Sequence, residues 1–459
     1  MLNISQQTEP TRAEKPQPTH SQDSLSIEFS RLDQLFAKHL YGLRQRGRSP
    51  LGDAVGGAVI EEGEAEGLLA SLHETHGMSS KNVPLPDPWI SPLKNLEYTK
   101  KCFHLLPVER DMLMLAMAVE VDSRYARLVA FLNDHVAMTR PTVGLAMALL
   151  LPNIDAARTA LLRRLVANGP LLTNGLLELE GEGPVANRTI RVPDNFWPRL
   201  IGIETETRFS VMPLNKIDFD AYETINNVNE RIASVPVWRT SQHSDQLLIF
   251  VSGLPGSGRD TIAQRVAAEL KSNVITIDAR HSDLAEHVNE LVRESRWHNA
   301  CVIVRHAESL SAEAHQTLQK LIPTPLIYVR DNDKNDELLE KSSRPFIEIS
   351  IAAYDHAARS KIWQCLTSQS LSNDYSEPLD TTALASRFGF GPGRIKNAIR
   401  LAETFATSAG GNQIKQSDLE STCRRMQGAE FGQLAQKLPC PFAVDDIISL
   451  VSTPSNNDR

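Results

Sequence analysis

The chain has 459 residues, room for about two to four domains that each bury a core, and 41% of them are hydrophobic against 23% charged. A net charge of −8 argues against a general nucleic-acid binder. No apolar run approaches the roughly 20 residues that cross a bilayer, and the polar start MLNISQQTEPTRAEKPQPTHSQDS has no secretory core segment. The five cysteines stand far apart without a CxxC, which argues against a zinc site or a disulfide framework and fits a cytoplasmic protein.

Residues 1–24, rich in Pro, Gln, Thr and Ser, predict a disordered tail. Residues 25–95 predict a helical segment and a linker. IEFSRLDQLFAKHLYGL sets Phe29, Leu32, Phe36 and Leu40 on one helical face, EAEGLLASLHETHG predicts a shorter helix, and VPLPDPWISPL is proline-rich. Over residues 96–205, three helical stretches follow: LLPVERDMLMLAMAVEVDSRYARLVAFLND, PTVGLAMALLL and IDAARTALLRRLVANG. LLELE and TIRVPDNFW, on either side of the turn-forming GEGPVANR, then predict a β-hairpin. Helices followed by a hairpin predict a winged-helix domain. Arg158, Arg163 and Arg164 could face DNA phosphates from the third helix. Residues 98–200, however, carry 12 Lys and Arg against 10 Asp and Glu, which favours a protein-contact face.

After a linker at 206–244, residues 245–352 alternate apolar strands (LLIFV, VITID, CVIVR, LIYVR, FIEIS) with amphipathic helices. That pattern predicts an α/β core with a five-stranded parallel sheet covered on both faces. Residues 353–428 predict a helical lid in which Trp363 packs the core, and residues 429–459 a C-terminal tail.

GLPGSGRDT, between the strand LLIFV and a helix, has the glycine spacing of a phosphate-binding loop. Gly253, Pro255, Gly256, Ser257, Gly258, Arg259, Asp260 and Thr261 are its candidate nucleotide-binding residues. In a working loop a lysine neutralises phosphate charge and a hydroxyl holds magnesium; here Arg259 and Asp260 stand at those positions. The third strand should end in two acidic residues, one for the metal and one to activate water, but ends in Arg305 and His306. The substitutions predict that Asp260 and Arg305, opposite in charge at two positions that would approach one ion, pair directly. ATP or ADP is then the expected ligand, without magnesium, and no residue is assigned as catalytic or as a metal ligand. Asn332 and Arg394 are candidate sensors of the phosphate, and Arg344 a candidate remnant of an intersubunit arginine finger.

On the degenerate loop GLPGSGRD, the third-strand segment ACVIVRHAESL and the lid run RFGFGPGRIKNAIRLA, residues 245–428 resemble an AAA+ module. Over residues 98–428 the chain resembles the N-terminal part of the two-module AAA+ ATPases associated with extracellular contractile injection systems. In that family a winged-helix domain and a degenerate first module precede a second module with intact motifs. FGQLAQKLPCPFAVDDIISLVS resembles the lead-in to that second module, and no second phosphate loop follows it here. The resemblance therefore implies an AAA+-like pseudo-ATPase, an assembly or regulatory component of a contractile-injection-type machine. The implied partners are other AAA+ subunits or a separate active module, and injection-system components, with neither nucleic acid nor membrane. Two other readings are an active ATP-dependent remodelling ATPase and a DNA-associated winged-helix AAA+ factor.

Overall fold

The computed structural model describes residues 21–45, 62–76, 91–152, 155–166, 169–214, 232, 247–280, 286–331, 337–369, 379–408 and 414–434. The expected tail up to residue 20, the proline-rich stretch 83–90, the candidate sensor Asn332 and residues 435–459 lie outside them.

Helices α1 (Ser21–Gln45) and α2 (Glu62–Thr75) open the described chain. Residues 21–24, expected in the tail, thus belong to a helix. Phe29, Phe36 and Leu72 are buried in the same cluster as Met112, Leu115, Tyr125 and Leu128 of the following region, so these helices share its core. That region comprises α3 (Lys94–Cys102), α4 (Pro107–Val121), α5 (Ser123–Leu132), α6 (Val143–Leu150), α7 (Asp155–Val166) and the short α8 (Pro170–Thr173). The stretch from Leu105, expected as one helix, is two. Asp122 adopts an extended conformation and its carboxylate accepts from the Arg124 N–H, ending α4 and capping α5. Strands β1 (Glu178–Glu180) and β2 (Thr189–Arg191) form the expected antiparallel hairpin, with Leu179 opposite Ile190.

A short helix α9 (Trp197–Leu200) leads to a two-residue strand, β3 (Val211–Met212). The α/β core then runs β4 (Leu248–Gly253), α10 (Arg259–Glu269), β5 (Asn273–Asp278), α11 (Val288–Trp297), β6 (Ala300–Arg305), α12 (Ala312–Leu321), β7 (Leu326–Asp331), α13 (Glu337–Glu340) and β8 (Phe346–Ile351). The sheet order is β3-β5-β6-β7-β4-β8. Five strands are parallel as expected. The sixth, β3, pairs antiparallel with β5 inside the stretch read as linker, because two residues are too few to show a period of two. Along β4, Ile249 and Val251 face Ile262, Ala263 and Val266 of α10, while Leu248 and Phe250 face Leu291 of α11 and Leu318 of α12. This alternation buries the sheet on both faces.

The lid consists of α14 (His356–Gln369), α15 (Thr381–Arg387), α16 (Pro392–Ser408) and α17 (Gln416–Leu434), with the last helix extending into the expected tail. Trp363 is fully buried at its centre with Leu384, Phe388, Ile395 and Ile399.

Helix α11 joins the α/β core to the winged-helix region. Trp297 lies in the N-terminal cluster, edge-on to Tyr98 and Phe196 at 5.0 and 5.7 Å between ring centroids. Arg293 donates to Gly175 O and Asn195 Oδ1, both at 2.8 Å, and lies over the Phe196 ring. Glu294, wholly buried, accepts from Arg199 at 2.9 and 3.0 Å and lies 3.4 Å from His298 Nε2. Among the described residues, no helix is long and apolar enough to cross a membrane.

Candidate phosphate site

The strand order places β4, the first parallel strand, between the last two, β7 and β8, so the loop leaving its C-terminal end is flanked by other strand ends. In parallel α/β sheets this is where ligands bind. Gly258 supplies the left-handed backbone (φ +89°) from which α10 starts, and Gly256 is also positive at φ +79°. The first turn of α10 is closed by Ile262 N–H donating to Gly258 O. The amides before it are at the N-terminus of a helix, where backbone N–H groups and the helix dipole favour an anion. Gly253, Pro255, Gly256, Ser257, Gly258, Arg259, Asp260 and Thr261 thus form one strand–loop–helix turn.

The two charged side chains of that turn have partners within the chain. Arg305 Nε, at the end of β6, donates to Asp260 Oδ1 at 2.8 Å, so the expected ion pair forms. The Arg259 guanidinium donates to Asp331 Oδ1. Gly253 is in register with Asp331 across the β4–β7 pair, which brings that carboxylate beside the root of the loop. His306 takes a left-handed conformation (φ 53°). Its Nδ1 lies 3.5 Å from Glu308 Oε1, and its Nε2 is 3.9 Å from Asp278 Oδ2. Asp278 in turn accepts from Arg280 at 2.6 and 3.0 Å, and this guanidinium holds its carboxyl well below the usual carboxylate range.

The lid closes over the loop. Tyr354 Oη donates to Ser257 O at 2.8 Å, and Gly393 N–H to Gly256 O at 3.2 Å. A Cβ on Gly391 would sit 2.3 Å from Gly256 O, so only glycine fits at this contact. Arg394, one of the two candidate sensors, packs against Gly256 with its guanidinium 5.9 Å from the centre of the Phe390 ring. Between loop and lid lies a cavity of about 290 Å³, lined by Leu254, Pro255, Ser257, Tyr354, Phe390 and Arg394 among others. Arg344 is buried and donates to the carbonyls of Ile322 and Thr324 of its own chain. Both acceptors lie just past the end of α12.

The fit to the two groups that such a loop implies differs. A helix start, glycines of positive φ and an adjoining cavity suit a phosphate-bearing ligand. The divalent cation does not fit, because the Asp260 carboxylate that stands at its seat is engaged by a guanidinium. Among the described residues, no group of three or more His, Cys, Asp or Glu side chains is placed to hold a metal ion. Sequence reading did not identify Asp331, Tyr354 or Gly391 as site residues. Asp331 follows the predicted strand LIYVR directly, but that this strand neighbours the loop strand appears only in the sheet order.

Residues 90–210 match the family model of the winged helix domain, variant, so this part of the chain is a winged-helix domain. Among solved structures the chain is similar to the Thermotoga maritima RuvB Holliday junction branch migration motor. The TM-score is 0.37 at 15% identity, covering 46% of this chain and 72% of that one. No curated protein matches.

Proposed function

We propose that the chain is an AAA+-like pseudo-ATPase, an assembly or regulatory subunit whose phosphate loop holds a nucleotide without efficient hydrolysis. The observation that carries this is the 2.8 Å contact between Arg305 and Asp260, which puts an internal cation where hydrolysis needs a divalent metal. The second acidic position is held by His306, whose ring lies between Asp278 and Glu308. With Arg305 and His306 at the two strand-end positions that phosphoryl transfer gives to acids, metal binding and water activation both lack their usual groups there. The contractile-injection setting, with other AAA+ subunits or a separate active module as partners, rests on the sequence resemblance of residues 98–428.

The winged-helix domain serves in this reading as a protein-contact surface. Arg164 is bound by the buried Glu109 carboxylate at 2.7 and 2.8 Å, and Arg158 by the carbonyls of Leu151 and Pro152. Two of the three arginines considered for DNA phosphates are therefore engaged inside the chain. The test is phosphate release from ATP by the purified full chain, with and without magnesium. No magnesium-dependent turnover is expected. Turnover that requires magnesium and is lost on Gly258→Val would show an active remodelling ATPase instead.

A further inference from the structure

We propose that the Asp331 carboxylate is an internal stand-in for phosphate, so that a nucleoside diphosphate enters the loop only by taking Arg259 away from it. This rests on the reading of the loop as a phosphate cradle. Arg259 is the one basic side chain of the loop turn, and its guanidinium is directed to Asp331 with 12% of the side chain exposed. Asp331 is itself 32% exposed, so one side of the pair faces solvent and a competing anion has access. The register of Gly253 with Asp331 fixes the carboxylate next to the strand from which the cradle springs. A planar guanidinium binds carboxylate and phosphate through the same fork of donors, so the two anions are direct competitors for it.

Two further features mark the site as built for a ligand. Ser257 is 5% exposed, and its buried hydroxyl has no hydrogen-bond partner among the described residues and lies at the base of the loop, 2.7 Å from where a Cβ on Gly253 would be. The adjoining cavity of about 290 Å³ has an aromatic ring, Phe390, and an arginine, Arg394, on its lid wall. The exchange involves neither member of the Asp260–Arg305 pair, which lie 2.8 Å apart, and invokes no metal.

The experiment is calorimetric titration of the full chain with ADP in the absence of magnesium. Asp331→Asn frees Arg259 and is expected to bind ADP at least about tenfold tighter than the natural chain, as for removal of one charged competitor. In the Arg259→Ala background the same Asp331 substitution should give no gain, because a double-mutant cycle isolates the pair. Asp331→Ser serves if the asparagine variant does not fold. A gain that persists without Arg259, no gain at all, or no ADP binding by any folded variant each overturns the proposal. Magnesium-dependent ATP turnover by the natural chain would refute the pseudo-ATPase reading and leave this competition standing.

Discussion

At the scale of single residues, the two ion pairs of the loop differ in environment and so in what they do. Asp260 and Arg305 have 49% and 41% of their side chains exposed, and pairs in such surroundings contribute about 0–1 kcal/mol. Asp260→Asn should therefore shift the urea unfolding free energy by less than about 1 kcal/mol. A larger loss would mean that the pair is a stabilising element and not a plug in a cation seat. Much of this site was legible in the residues. Aspartate standing for the hydroxyl, and Arg305 for an acid, pointed to the partner that Asp260 has in the structure. The partner of Arg259 was not legible, because the Gly253–Asp331 register is a property of the folded sheet and leaves no local pattern.

At the scale of elements, α11 serves two cores at once. Its Leu291 lies under the sheet, while Trp297 lies in the winged-helix cluster. Trp297→Ala should cost about 3–5 kcal/mol, as for other large buried aromatics, read as a fall in the urea midpoint. Glu294 gives this joint a pH dependence. Burial alone would raise its pKa, but the hydrogen bond with His298 and the charge and hydrogen bonds of Arg199 outweigh it, and the net shift is downward. A carboxyl lowered on folding stabilises fully above its unfolded value of about 4.3, and that contribution is lost as pH falls through the folded value. From about pH 5 down to about pH 3 the natural chain should therefore lose stability more steeply than Glu294→Gln. Parallel curves for the two would contradict the role given to this carboxylate. The helices themselves were visible from their 3.6-residue period, whereas the break at Asp122 was masked by apolar residues continuing on both sides of it. The docking of α11 was invisible, since Arg293 and Glu294 read in sequence as ordinary solvated charges.

At the scale of the whole molecule, the winged-helix domain, the α/β core and the lid are connected by specific contacts: α11 joins the first two, and Tyr354 and Gly393 hold the third to the loop. A change in the loop thus has a physical route to the lid through Ser257 and Gly256. On the proposed function, the loop keeps the parts that hold a phosphate and the Asp260–Arg305 pair fills the position of the metal. That central point is tested most directly by electron paramagnetic resonance of manganese, a magnesium substitute, titrated into the full chain with ADP. The natural chain is expected to remove no more free manganese than ADP alone, while Asp260→Thr combined with Arg305→Asp, which restores a hydroxyl and an acid, should sequester the ion together with ADP. Manganese held by the natural chain, and released on Asp260→Ala, would contradict the closed cation seat.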